Sequence, residues 1–325
     1  MRAASPPAPR TSCLKCGATN PANQPRCKRC GARLPAAKAA NKPAKKAIRL
    51  ARAEPASIPR APSTTSPIPA GLALDAIHCG DAVEVMARLP AECVDLVVTS
   101  PPYNFGLDQY DAHHDTQAWA DYTARLEAVF RECARLLKVG GRICVVVQPL
   151  FSDYMPTHHV VSDLLRRLGL LFKAEILWEK HNYNCKYTAW GSWCSPSMPY
   201  LKYTWEYIEV FCKGTQKKPG RRERSDLMPE EFKKWVYARW EVAPESRMRE
   251  FEHPSMFPEE IPRRLIKLFS YVGDVVLDPF NGVGTTTLVA RQLGRRYIGI
   301  DISAAYCKKA EERLQQLERT ARQRT

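Results

Sequence analysis

Seven short apolar runs, AIHCG, VDLVVT, RICVVV, AEILWEK, YIEVFC, VVLDPF and YIGIDI, are separated by amphipathic or polar stretches. This alternation constrains the fold more than any other feature. Runs that are apolar throughout need cover on both faces, and strands alternating with helices supply it with a mainly parallel sheet. Helical periodicity is expected around Trp119 to Leu137, Val160 to Leu168, Pro262 to Tyr271, Thr285 to Leu293 and Ala304 to Leu317. Ligands of such sheets bind beyond the carboxyl ends of the strands, so the residues following the apolar runs are the first candidates for a site.

Charge divides the chain. Of a net +15, residues up to Gly71 carry 14 Lys and Arg against the single acid Glu54, a net of +13, and 35 basic and 33 acidic residues follow. A cationic arm on a nearly neutral body suits an acidic polymer such as DNA or RNA, through contacts that release counterions; a solvated, solubilising tail is the alternative. Within the arm, CLKCG and CKRCG place Cys13, Cys16, Cys27 and Cys30 in two Cys-x-x-Cys knuckles. Four thiolates on two tight turns complete a tetrahedral zinc site with no open position, so residues 1–34 read as a structural zinc ribbon. Residues 35–71, rich in Pro, Ala and Lys, cannot bury enough to fold and read as a flexible linker to a body at 72–325.

No apolar run approaches the ~20 residues of a membrane span, and MRAASPPAPR lacks a signal-peptide core, so a cytoplasmic protein without membrane contact is expected. Cys79, Cys93, Cys133, Cys144, Cys185, Cys194, Cys212 and Cys307 read as reduced core thiols.

Two motifs follow apolar runs. In VVLDPFNGVGTTT a strand ends at Asp278, Gly282 and Gly284 permit a tight turn, and a helix opens at the threonines. YIGIDIS then ends a second strand at Asp301, an acid placed to accept the two hydroxyls of a ribose. No Lys follows the glycines and Asp278 would repel a phosphate, so an adenosyl ligand without phosphates fits better than a nucleotide. In VDLVVTSPPYN, two prolines would spoil a central ladder, so the strand ends there and a rigid turn begins. The Ser100 hydroxyl and the Pro101 carbonyl can hold the hydrogens of an exocyclic base amine, and Tyr103 can stack on an extruded base. An ordinary Pro-Pro turn with a surface tyrosine is the alternative.

These stretches, with HCGDAVEVMARLPAEC, RLLKVGGR, ILWEK, TWEYIEVFCKG and HPSMFPEEIPRRLIKLFS, resemble the amino-group DNA methyltransferases that use S-adenosylmethionine. The catalytic element precedes the cofactor loop, as in their β subclass, and the resemblance spans residues 74 to 318. It implies a permuted Rossmann-like α/β fold with a seven-stranded sheet, a catalytic half at 72–213 and a cofactor half at 248–318. It further implies Ser100, Pro101, Pro102 and Tyr103 at the flipped base, with Phe280, Gly282 and Gly284 around the methionine part of the cofactor. Asp301 falls on the ribose and Asp81 near the adenine ring; His253, Ser255 and Phe257 lie beside the cofactor, and Thr99, Asp278, Asn281 and Thr285 join the same set. Asp81 reads equally as a turn residue, and the HPSMF stretch as a helix lead-in.

In this family an Asp in place of Ser100 goes mostly with adenine N6, whereas Ser-Pro-Pro-Tyr leans to cytosine N4, the expected acceptor; both amines meet the same two oxygen acceptors, so adenine stays open. Target recognition in double-stranded DNA is expected in 181–203 and 214–247, with Lys217, Lys218, Arg221, Arg222 and Arg224 meeting phosphates. Trp190 and Trp193 could contact DNA or pack as an aromatic cluster. The resemblance implies an orphan enzyme or a restriction-modification system with a cognate endonuclease, as monomer or dimer. The remaining alternative is a nucleic-acid-binding protein with a vestigial methyltransferase body.

Overall fold

The computed structural model describes residues 10–13, 15–21, 24–34, 74–103, 118–149, 155–181, 191–246, 248, 250, 251 and 255–323. The chain divides into two compact units, Met1–Pro55 and Ala56–Thr325. The linker expected at 35–71 lies outside the described residues.

In the small unit, β1 (Arg10–Ser12) and β2 (Thr19–Pro21) pair as an antiparallel hairpin. Each knuckle is closed by a glycine whose N–H donates back four residues, Gly17 to the Cys13 carbonyl and Gly31 to the Cys27 carbonyl, at 2.8 and 3.0 Å. Both glycines have φ near +70°, a region that penalises any side chain.

The larger unit runs β3 (Ala76–Cys79), α1 (Ala82–Ala87), β4 (Val94–Thr99), α2 (Trp119–Leu136), β5 (Leu137–Val147), α3 (Thr157–Arg167), β6 (Leu171–Glu179) and β7 (Trp205–Cys212). It continues through α4 (Pro229–Trp235), β8 (Arg239–Glu241), α5 (Glu260–Phe269), β9 (Val275–Asp278), α6 (Thr285–Gln292), β10 (Arg296–Asp301) and α7 (Ala304–Arg322). One sheet in the order β3-β10-β9-β4-β5-β7-β6-β8 holds all seven expected strands. The eighth is an addition at the edge, where Arg239–Glu241 lies parallel to β6 with Glu179 opposite Glu241. Only β7 runs antiparallel to its neighbours.

All six residues of β4 are buried because both faces are covered. Val97, Ile143, Val145 and Leu277 meet Leu126, Phe130, Leu136 and Leu164 of α2 and α3 on one side. Leu96, Val98, Val146 and Val276 meet Leu265, Val289 and Leu314 of α5, α6 and α7 on the other. Of the cysteines expected in the core, Cys133, Cys144, Cys212 and Cys307 are buried and Cys93 is half-buried. Cys79 and Cys194 are exposed instead, and Cys185 lies outside the described residues.

In the basic segment at 214–225, Lys218 departs from the expectation of a phosphate contact. Lys218 bridges Asp95 at 2.9 Å and Asp274 at 3.2 Å with only 9% of its side chain exposed, and Arg224 binds Asp274 at 3.1 Å. Asp95 and Asp274 stand at the amino ends of β4 and β9, the end opposite to the motifs. Lys218 therefore neutralises buried carboxylates rather than meeting phosphates, whereas Arg224 binds Asp274 with 47% of its side chain still exposed. Lys217, Arg221 and Arg222, on the same segment, are exposed.

One carboxyl sits against the grain of the core. Glu209, fully buried, lies directly opposite Glu175 in the β6–β7 pair and accepts from the Ser162 hydroxyl at 2.7 Å. Burial, and then the facing Glu175, push its carboxyl up to about 8. The folded chain thus binds this proton more tightly than the unfolded chain, whose value is about 4.5. Stability on this account falls as pH rises from about 4.5 to about 8 and is level above. Glu209→Gln is expected to raise the melting temperature by several degrees at pH 9 and by much less at pH 4.5, in paired thermal scans. An equal gain at both values would show that the charge is not the cause.

Candidate active site

The carboxyl ends of β3, β4, β9 and β10 converge on a cavity of about 290 Å³. At the end of β4 the buried Thr99 hydroxyl donates to Asp278 Oδ1 at 2.6 Å, and the Phe280 N–H donates to the same oxygen at 3.1 Å. This ties the Ser-Pro-Pro turn to the glycine loop, and Thr99 reaches the cavity only through Asp278, which lines it. Burial pushes the Asp278 carboxyl up to about 6, so it is mostly ionised at neutral pH.

Ser100, Pro101, Pro102 and Tyr103 all line the cavity. Ser100 Oγ lies 2.9 Å from the Tyr103 hydroxyl, which donates to Glu206 Oε2 at 3.3 Å. The Tyr122 hydroxyl donates to the Pro102 carbonyl at 2.8 Å, so that carbonyl anchors the turn to α2 and the Pro101 carbonyl is the candidate for a ligand.

Across the cavity, the glycine loop is packed tightly. Gly284 has φ +83°, and a Cβ there would lie 2.8 Å from the Ala310 Cβ of α7, so only glycine lets helix and loop meet. The Asn281 N–H donates to the Ile300 carbonyl at 2.9 Å and its Oδ1 accepts from Thr287 at 3.0 Å. Its buried Nδ2 has no partner among the described residues. Asp301 accepts from the N–H of Gly282 on Oδ2 at 2.7 Å and from that of Ser303 on Oδ1 at 2.9 Å. The Ile302 backbone also bonds this carboxylate, and its remaining lone-pair capacity is left for a ligand in the cavity that Asp301 lines. Burial raises the carboxyl of Asp301 above its usual range.

Asp81 lines the cavity but its oxygens are engaged: it caps α1 through the N–H groups of Val83 and Glu84, at 2.9 and 3.3 Å, and pairs with Arg125 at 2.9 Å. Gly282, Thr285, Ser255, Phe257 and Phe280 are on the wall, and His253 lies outside the described residues. Arg125, Trp178, Lys180 and Glu206, which no sequence motif marks, also line the cavity. A signal existed for Glu206: an acid inside an apolar strand needs a partner when buried. Arg125 and Lys180 are each paired with a carboxylate, Asp81 and Glu206, and Asp278 is an anion, so the wall is poorly suited to phosphate. The open lone pairs of Asp301, the orphaned Asn281 amide and the Phe280 ring fit an adenosyl group with an uncharged ribose.

In the small unit, the sulfurs of Cys13 and Cys30 are 3.6 Å apart, those of Cys16 and Cys27 are 3.7 Å apart, and all four lie within 4.8 Å of one another. Tetrahedral Zn–S bonds of about 2.3 Å require sulfurs about 3.8 Å apart. The N–H groups of Arg29 and Cys30 hold the Cys27 thiol down at about 6, and buried Asn20 donates to its sulfur at 3.6 Å. The four sulfurs fit structural zinc.

A model of the N6/N4 methylase family, described as DNA methylase, matches residues 94–312. The chain belongs to this DNA methylase family. The methylase is 30% identical over 278 residues to the type II methyltransferase M.MjaI of Methanocaldococcus jannaschii, covering 72% of this chain and 89% of the relative. It is 33% identical over 251 residues to the DNA adenine methyltransferase YhdJ of Escherichia coli, covering 73% and 81%. Among solved structures, TTHA0409 of Thermus thermophilus in complex with S-adenosyl-L-methionine matches with a TM-score of 0.59 and 34% identity, over 74% of this chain and 93% of that one.

Proposed function

We propose that this DNA methylase transfers a methyl group from S-adenosylmethionine to the exocyclic amine of a base flipped out of duplex DNA, with cytosine N4 as the acceptor. The observation that carries this reading is that Ser100 and Pro101 line one cavity together with Asp301, Asn281 and Phe280. S-adenosylmethionine, when bound, supplies the methyl group. Asp301 would accept from its ribose hydroxyls, and the Asn281 amide and Phe280 ring would hold the rest of the molecule beside Ser100. Ser100 Oγ and the Pro101 carbonyl would each accept one amine hydrogen and aim the nitrogen lone pair at the methyl carbon, which is catalysis by orientation. Trp178, Lys180, Pro244 and Met248 would enclose the base.

Residues 191–204 run directly into β7, whose Glu206 lines the cavity, and expose Trp193 at 70% and Leu201 at 77%, which supports contact with DNA there over a packed aromatic cluster for Trp193. The N-terminal arm, with its net +13, would add sequence-independent affinity. Likeness to a DNA adenine methyltransferase favours adenine N6 as the second reading. Nucleoside mass spectrometry of DNA incubated with the protein and S-adenosylmethionine separates the two. N4-methylcytosine is the expected product, N6-methyladenine would replace the acceptor, and no methylated base would remove the reading.

A further inference from the structure

The hydrogen bonds behind Ser100 have a direction. Glu206, only 3% exposed, accepts from the Lys180 ammonium on Oε1 and from the Tyr103 hydroxyl on Oε2. A carboxylate can only accept, so the one hydrogen of the Tyr103 hydroxyl is committed to Glu206. The 2.9 Å contact between Tyr103 and Ser100 must then be donated by Ser100. The Ser100 hydrogen points back at Tyr103, and its lone pairs are left for the cavity.

We propose that Glu206 is a positioning residue that, through Tyr103, holds Ser100 as an acceptor, so that the site takes a base amine and rejects a base carbonyl at the same place. The proposal rests on the amine-transfer reading above. An undirected serine hydroxyl would serve a keto group as well as an amine, because it can donate or accept. The chain Ser100–Tyr103–Glu206 removes the donor option, and an unmatched carbonyl then faces lone pairs in a partly buried site. Lys180, which also lies 4.6 Å above the Trp178 ring, occupies Oε1 of Glu206 and so fixes which of its oxygens is left for Tyr103.

This geometry makes an isosteric test possible. In Glu206→Gln the amide oxygen stays on Lys180, whose ammonium can only donate, and the amide nitrogen faces Tyr103 and donates to it. Tyr103 then donates to Ser100, and the Ser100 hydrogen turns into the cavity. One amide nitrogen inverts the whole chain.

The experiment uses the full chain with S-adenosylhomocysteine and duplexes carrying, at the mapped target, either the amine base or its keto counterpart, uracil for cytosine or hypoxanthine for adenine. The wild type is expected to bind the amine duplex about 10-fold or more tightly, and Glu206→Gln to lose or reverse that preference. Single-turnover methyl transfer by Glu206→Gln should fall roughly 100-fold while its affinity for S-adenosylmethionine stays within about twofold. Tyr103→Phe, which frees the Ser100 hydroxyl, should bring the preference close to unity, and it serves as the test if Glu206→Gln fails to bind the cofactor. Adding Tyr103→Phe to Glu206→Gln should cost no further rate. Retention of wild-type preference and rate by Glu206→Gln, or by Tyr103→Phe in its stead, overturns the proposal. A wild type that methylates no base overturns the amine-transfer reading and this inference together.

Discussion

Ser100→Ala is expected to lower single-turnover methyl transfer by roughly 10²- to 10³-fold while leaving the affinity for S-adenosylmethionine within about twofold. Ser100 touches the cavity through one oxygen, and its protein partner is the Tyr103 hydroxyl at 2.9 Å. Removing that oxygen takes away one of the two acceptors proposed to orient the amine and leaves the Pro101 carbonyl, so the nitrogen can rotate out of line. The cofactor side of the cavity is untouched, because Asp301, Asn281 and Gly282 are held by β10 and the glycine loop. Loss of the bond to Tyr103 costs about 1 kcal/mol of stability, too little to unfold a domain of this size. Radiolabelled methyl transfer at saturating DNA, with calorimetric titration of the cofactor, checks both halves. An unchanged rate would mean that the Pro101 carbonyl alone suffices, and a lost cofactor affinity would place Ser100 in the wrong lobe.

The second large effect belongs to Asp301→Ala, for which S-adenosylmethionine and S-adenosylhomocysteine should both bind roughly 10²- to 10³-fold more weakly. Asp301 serves two ends at once. Its oxygens accept from the Gly282 and Ser303 N–H groups at 2.7 and 2.9 Å, which shapes the loop, and its remaining lone-pair capacity meets the proposed ribose hydroxyls. Hydrogen bonds to a charged group contribute about 1.5–3 kcal/mol each, and two of them make up the expected loss. Calorimetry with both ligands is the measurement. An equal loss for the two would locate the contact in their shared adenosyl part; a loss confined to one would move it to the sulfur end.

The sheet and the two motif turns were legible in the sequence because apolar runs and turn chemistry are local properties. All seven apolar runs became strands, and Ser100, Asp278 and Asp301 could be located at strand ends before any pairing was known. The short elements were not legible: α1 and α4 have six and seven residues, and β8 has three, too few for a period to show. Cys79 and Cys194, expected in the core, are exposed for a related reason, since an apolar neighbourhood in sequence does not tell which end of a strand or loop meets water.

Lys218, within the basic run at 217–224, shows a different kind of failure. Charge composition cannot distinguish a lysine that awaits a phosphate from one that neutralises a buried carboxylate, and the partner of Lys218, Asp95, lies 123 positions away. Arg224, half-exposed, likewise binds a distant carboxylate, Asp274, 50 positions away.

By itself the sequence determined the fold class, the closed four-cysteine centre and the residues at the two turns, since each depends on spacing within a few residues. Only the tertiary structure decided that β3 crosses to the far edge beside β10, bringing Gly80 and Asp81 next to Asp301. It alone joined Thr99 to Asp278 across 179 positions and Tyr103 to Glu206 across 103. Those contacts set which oxygen accepts and which hydroxyl donates, and hydrogen-bond direction is a property of assembled partners that no single stretch of chain contains.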